Sequence, residues 1–240
     1  MLFRDRHDAG RQLAQKLAPL AEHHPVVLAL PRGGVPVAYE IAQSLHAPLD
    51  VLVARKLGAP GHKEFGIGAV AEGGGRYIHP DTSAILSVTP AYLERVEREE
   101  RAELERRVRT YRAGEPPIDC RGRLVILVDD GLATGATIHA ALRSVRKQAP
   151  MSVVLAVPVC EPEAARALED AVEEVVCTWS PLEFSSVSQW YDDFEQTSDD
   201  EVVLLLARAR SEYQARLQGM RKAAERARIP GVQHGDRQRR

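Results

Sequence analysis

Apolar residues along this chain fall into short continuous runs, separated by stretches with helical spacing and by Gly/Pro punctuation. Val26 to Leu30 (VVLAL) and Leu124 to Val128 are apolar on successive positions, and Ser152 to Val159 is so after its first residue, the pattern of strands covered on both faces. Asp50 to Ala54 (DVLVA), Gly66 to Ala71, the RYI at 76–78 and Glu174 to Cys177 predict further, shorter strands. Between them, Leu13, Leu17 and Leu20 share one face of a helix predicted over 8–23, and helices are predicted over 35–45, 135–147 and 162–171. Strands alternating with helices imply parallel βαβ units with right-handed crossovers. The expected fold class is therefore α/β: three layers around a mostly parallel central sheet. In such sheets ligands gather beyond the carboxyl ends of the strands, so the loops after Leu30, Ala54 and Val128 carry the functional interest.

Residues 90–112 are predicted to form the most charged helix. Glu94/Arg98, Glu97/Arg101, Glu103/Arg107 and Glu105/Arg109 all stand at i,i+4, which reads as a solvated face. Pro116-Pro117 closes it. From Ala207 onward ten Lys/Arg oppose three acids. That segment reads as a basic, solvated helix with a disordered end, GVQHGDRQRR. The expected division is a core over 1–178, a small hood over 179–206 and the basic segment over 207–240.

Composition narrows the class. The chain has 240 residues, 44% of them hydrophobic, enough for a sizeable core. A formal charge of -2 offers no whole-protein reason for a nucleic-acid or acidic-membrane partner. No apolar run reaches the ~20 residues that span a bilayer, and MLFRDRHDAG lacks the apolar stretch of a secretory signal. Cys120, Cys160 and Cys177 are odd in number and far apart in sequence, against a disulfide framework or structural zinc. A cytoplasmic protein is expected.

The chemistry concentrates after the strand ending at Val128. Asp129 and Asp130 are adjacent acids at the ligand-facing edge of a sheet, where they repel each other and lose hydration. Sugar hydroxyls and a divalent cation are natural partners. Ala133-Thr134-Gly135-Ala136-Thr137 follows at a helix start, where backbone N–H groups and two hydroxyls suit a phosphate dianion. Helix capping by Asp130 or Thr134 explains one residue of this set and leaves the rest. Leu30-Pro31-Arg32-Gly33-Gly34 also joins a strand to a helix. Its glycines permit close backbone approach, and Arg32 can grip an anionic oxygen pair; a tight turn with a surface arginine would look the same. The stretch Arg55 to Glu64 (RKLGAPGHKE) opens with a basic pair and carries His62 and Lys63 amid Gly and Pro.

Residues 125–137, VILVDDGLATGAT, resemble the phosphoribosyl-pyrophosphate (PRPP) motif of the type I phosphoribosyltransferases: four apolar residues, two acids, then small residues and threonines. Over roughly residues 1–210 the order of segments resembles a group of uncharacterised bacterial phosphoribosyltransferase-like proteins. The resemblance implies that Asp129 and Asp130 hold the ribose hydroxyls near Mg²⁺, while Ala133 to Thr137 wrap the 5′-phosphate. It implies that Arg32, Gly33 and Gly34 hold pyrophosphate. The 55–64 stretch looks like the family's mobile catalytic loop, with Arg55, Lys56, His62 and Lys63 closing over PRPP, although a plain exposed basic loop accounts equally for His62 and Lys63. The implied reaction transfers a 5-phosphoribosyl group from PRPP to a nitrogenous base with release of pyrophosphate; a PRPP- or nucleotide-sensing protein without activity is the alternative. Enzymes of the hypoxanthine/guanine type carry an acid where this chain has Ala133, so the base stays open. Expected partners are PRPP and that base, with a homodimer left open.

Other motifs fail. Gly66-x-Gly68-x-x-Ala71 lies within a strand rather than at a strand-to-helix turn, and Gly61-x-x-x-x-Gly66 is followed by Ile67 rather than lysine. Trp179, Phe184, Trp190, Tyr191 and Phe194 cluster in a chain poor in aromatics. Most of them are expected to form a small core, with Trp179 left as the candidate to face a base.

Overall fold

The computed structural model describes residues 2–79, 86 and 88–227. Five parallel strands form the central sheet: β1 (Val26–Ala29), β2 (Leu49–Val51), β6 (Leu124–Val128), β7 (Ser152–Val159) and β8 (Glu174–Trp179), in the order β2-β1-β6-β7-β8. All of β1 and β6 is buried. Successive residues explain why: Val27, Ala29, Ile126 and Val128 join one core, and Val26, Leu28, Val125 and Leu127 join the other. A strand buried on both sides leaves no polar face, which is the run seen in the sequence.

The first core is covered by α1 (Arg6–Leu17), α2 (Gly34–Leu45) and α6 (Asp199–Ala227). The second is covered by α4 (Ala136–Arg146), through Ile138, Ala141, Leu142 and Val145, beside the short α5 (Pro162–Arg166). β1 pairs with β2 on one side and β6 on the other, so the chain changes winding direction between β1 and β6. A crevice opens at such a point beyond the strand ends. There the β1 exit loop and the β6 exit loop lie side by side, joined by Leu30 N–H donating to the Val128 carbonyl at 2.8 Å.

Several expected elements shift. The helix expected over 8–23 is α1 followed by a 3-10 segment, Ala18–His23, with Pro19 at its start. The helix expected over 162–171 stops at Arg166, and one 3-10 turn, Glu169–Ala171, completes the span. The strand expected over 50–54 ends at Val51, and Ala54 already belongs to a second sheet. That sheet is antiparallel, with β3 (Ala54–Ala59), β4 (His62–Ala71) and β5 (Gly75–Ile78). The 55–64 stretch, expected as a loop, is thus mostly a hairpin turning at Pro60-Gly61. Its pairing comes from β4, ten residues long, whose register no local pattern around Arg55 announces. A seam of Ala69, Ala71, Ala136 and Ala140 lets this sheet lie close against the start of α4.

The charged helix α3 (Pro90–Arg112) is not only solvated, for it buries Val96, Leu104, Tyr111 and Arg112. Its charges also tie other elements down: Arg55 donates to Glu100 at 2.7 Å, and Arg76 donates to Glu97 at 2.9 Å. Arg112 enters a buried network, reaching Asp50 at 3.1 Å, Glu72 at 2.6 Å and the Val51 carbonyl at 2.7 Å. This one guanidinium joins β2, the end of β4 and α3. α6 runs unbroken through residue 207, so the boundary expected at 206/207 falls inside a helix; residues 228–240 lie outside the described residues. Among the described residues no helix is long and apolar enough to cross a membrane.

Candidate functional site

β6 ends at Val128 and delivers Asp129 and Asp130 to the crevice. The Asp129 carboxylate accepts the Asp130 backbone N–H at 2.9 Å. Burial raises its pKa well above the ordinary aspartate value, and the neighbouring Asp130 charge raises it further. Burial also raises Asp130, while Arg6 works against that rise. Arg6 Nε donates to Asp130 Oδ2 at 2.8 Å.

The Arg32-Gly33-Gly34 loop sits directly on the two acids. A Cβ on Gly33 would overlap Asp130 Oδ2, and one on Gly34 would lie 2.8 Å from the Val128 carbonyl and 3.0 Å from Asp129 Cα. The expected pyrophosphate glycines and the acid pair are therefore brought together by backbone contact. Arg32 itself turns aside and pairs with Asp199 at the start of α6, 3.6 Å away. Asp199 also receives Tyr111 Oη at 2.7 Å and Arg106 at 3.2 Å.

The 5′-phosphate candidates form the turn into α4. Gly135 adopts φ 70°, a left-handed conformation that favours glycine, and no side chain caps the helix. Its first N–H groups are thus left to an external acceptor. Ala133 and Thr134 are exposed, and Thr137 is half-buried. One turn on, His139 stacks on Tyr77 of β5 with ring centroids 4.4 Å apart. Burial, then Arg143 and His79, lower its pKa.

Among the described residues no ion pair or hydrogen bond joins the hairpin candidates to the acid pair. Arg55 is held by Glu100, and the Lys56 stem lies against Gly66. His62 is exposed at the start of β4, and the Lys63 side chain lies outside the described residues. Trp179 ends β8, 41% exposed. The other four aromatics of the hood, Phe184, Trp190, Tyr191 and Phe194, pack around Phe3, Ala9 and Val159 as a small core.

Sequence reasoning misses two residues here. Arg6 lies 124 positions from Asp130 and falls just before the helix expected over 8–23. Tyr191 reads there as a packing aromatic, but its hydroxyl also donates to the Asp130 carbonyl at 2.6 Å. Neither has a local signal, since both arrive through pairing of Phe3 and Arg4 with the 190–193 segment.

Among the described residues no group of three or more His, Cys, Asp or Glu could hold a metal ion. The donor set is two carboxylates, one oxygen of which is taken by Arg6. That set suits Mg²⁺, which keeps several waters and needs only one or two carboxylates when substrate oxygens supply the rest.

A doubly covered parallel sheet, an acid pair at its switch point and an uncapped helix start beside it define an α/β domain with a crevice beyond its strand ends. Similarity to known proteins supplies the family. The phosphoribosyl transferase domain matches residues 4–188, and the chain belongs to that family. A Mycobacterium tuberculosis relative, present in two strains, is 48% identical over 212 residues; its name marks its phosphoribosyl transferase assignment as provisional. The match covers 88% of this chain and 48% of the relative, so the chain spans about half the length of that protein. The crystal structure of TT1426 from Thermus thermophilus is similar at TM-score 0.72 and 47% identity, covering 86% of this chain and 98% of that one. A uracil phosphoribosyltransferase of Aquifex aeolicus is 33% identical over 57 residues, 24% of this chain and 27% of that protein.

Proposed function

We propose that the protein binds PRPP with Mg²⁺ and transfers its 5-phosphoribosyl group to a nitrogenous base, releasing pyrophosphate, in the cytoplasm. The observation that carries this reading is the contact of the loop after β1 with the acid pair after β6, beside the turn into α4. The Gly33-Gly34 loop rests on Asp129 and Asp130, and the same strand end leads into the uncapped turn before α4. On this reading Asp129 and Asp130 accept the ribose hydroxyls. The 5′-phosphate sits on the N–H groups of Ala133 to Thr137, with the Thr134 and Thr137 hydroxyls adding donors. Pyrophosphate lies against Arg32, Gly33 and Gly34. Asp129 and Asp130 would hold Mg²⁺, directly or through water, and the ion would supply charge neutralisation for the pyrophosphate.

Arg55, Lys56, His62 and Lys63 act from the hairpin, shielding the departing pyrophosphate from water as the nucleophile approaches the anomeric carbon. Catalysis is positional and electrostatic, because the reaction needs charge neutralised at the leaving group. Trp179, exposed at the end of β8, is the stacking surface for the base. Residues 1–178 then supply every proposed site residue but Trp179, while α6, which crosses the expected 206/207 boundary, packs on the first core.

A sensor that binds PRPP or a nucleotide without turnover is the second reading. It is favoured by one observation: Arg32 and Arg55 are both engaged in the protein's own ion pairs, with Asp199 and Glu100. Pyrophosphate release from PRPP and Mg²⁺ against a panel of purine and pyrimidine bases separates the two. Release with one base supports the transferase; clear PRPP binding with no release from any base supports the sensor. Asp129→Asn combined with Asp130→Asn is expected to abolish PRPP binding while the far-ultraviolet circular dichroism stays native. Retained affinity would overturn the site.

A further inference from the structure

The acid pair is treated unequally by the protein around it. Asp130 is surrounded by fixed partners: Arg6 Nε on Oδ2 at 2.8 Å, Tyr191 Oη on its carbonyl at 2.6 Å, and the Gly33 backbone against its carboxylate. Among the described residues the Asp129 carboxylate has a backbone N–H as its one hydrogen-bond partner. Among the described residues Arg6 is the one cation within ion-pair distance of either acid.

Arg6 is itself immobilised. Its Nη1 donates to the Glu195 carbonyl at 2.7 Å, and its guanidinium lies 3.8 Å from the Phe194 ring centroid. Its side chain is 11% exposed. A planar guanidinium can hold a carboxylate, a carbonyl and a ring face at once, which an ammonium cannot.

We propose that Arg6 is a positioning residue of the sugar-phosphate site: it clamps Asp130 through one oxygen, keeping its second oxygen aimed at the ligand, and leaves Asp129 as the open acceptor. The clamp is contributed by the start of α1 and by the 190–195 segment, outside the motif that supplies the acids. Without Arg6, two adjacent carboxylates in a low-dielectric crevice have no fixed cation, and Asp130 is free to rotate. This inference rests on the proposal that the site holds PRPP.

The test is calorimetric titration of PRPP, with saturating Mg²⁺, into the full chain and into Arg6→Gln, Arg6→Lys, Asp130→Asn and Arg6→Gln/Asp130→Asn. Losing one charge-assisted hydrogen bond to a carboxylate predicts a Kd raised roughly tenfold or more for Arg6→Gln. Arg6→Lys should recover part of this, keeping the charge but losing the carbonyl and ring contacts. In the Asp130→Asn background, Arg6→Gln should add little, because the partner it orients is already altered. A general structural defect would instead weaken binding by the same factor in both backgrounds, and that result overturns the clamp. Wild-type affinity in a folded Arg6→Gln protein also overturns it while leaving the PRPP reading intact. No PRPP binding by the wild-type chain overturns both. If Arg6→Gln does not fold, failure of Arg6→Lys to lower affinity at all counts against the clamp.

Discussion

Replacing Gly33 by alanine adds a single methyl group at the tightest point of the site. The backbone there has φ −59° and ψ −32°, ordinary helical values, so alanine meets no conformational penalty. The conflict is purely steric. The new Cβ would overlap Asp130 Oδ2 and stand 2.6 Å from its Cγ, with Arg6 Nε at 3.0 Å. Real Cβ atoms essentially never come nearer than 3.0 Å, so Cγ must retreat by at least about 0.4 Å and the oxygen by more. The oxygen that moves is the one Arg6 holds at 2.8 Å, so the displacement opens that hydrogen bond as well. Overpacking of this kind costs about 1–3 kcal/mol of stability. Misplacement of a ligand-binding group on the order of an ångström lowers affinity or rate by up to about a hundredfold. Urea unfolding and PRPP calorimetry measure the two effects. Gly219→Ala is the control, since nothing lies within 4 Å of a Cβ there and α6 gains a better helix former. Gly33→Ala is expected to lose stability and bind PRPP at least roughly tenfold more weakly, in keeping with one lost charge-assisted bond. Unchanged affinity would show that the loop does not set the position of Asp130.

Further outcomes follow from the same geometry. Arg112→Met leaves Asp50 buried and Glu72 half-buried without their shared cation and should cost about 3–5 kcal/mol in urea unfolding, as broken buried pairs do. Burial already raises the Glu72 pKa against the pull of Arg112. In the variant that rise grows, the folded state takes up the proton more readily than the unfolded chain, and the deficit should shrink as pH is lowered toward about 5. His139 carries the opposite sign. Its pKa is lowered, chiefly by burial, so the folded state resists protonation and stability should fall as pH drops below the ordinary value of about 6.5. His139→Gln should flatten that part of the pH–stability curve measured by thermal melting; an unchanged slope would refute the assignment. Arg55→Ala removes a half-exposed pair with Glu100 and should cost no more than about 1 kcal/mol of stability, so a large fall in pyrophosphate release would mark a role beyond tethering the hairpin.

What the chain determines locally is the strand–acid–turn–helix unit. Five apolar residues in succession, bounded by charged residues, fit a short strand buried on both faces, and the cost of burying two acids within the sheet drives them to its edge. Gly135, with no capping side chain, leaves the start of α4 open. These relations act over a few residues, so the 125–137 segment and the fold class were legible. Relations between distant residues were not. Arg55 and Lys56 look like loop residues because their strand exists only by pairing with β4. Arg112 looks like one more surface arginine on a charged helix, and only the approach of β2 and Glu72 buries it. Arg6 carries no signal at all in its own neighbourhood. The acid pair was readable from the sequence, but the unequal surroundings of its two members were decided by the tertiary structure, which places a guanidinium 124 residues away on one carboxylate and, among the described residues, gives the other a backbone N–H alone. Local propensity can raise two charges at a strand end; only packing can supply the opposite charge that distinguishes them.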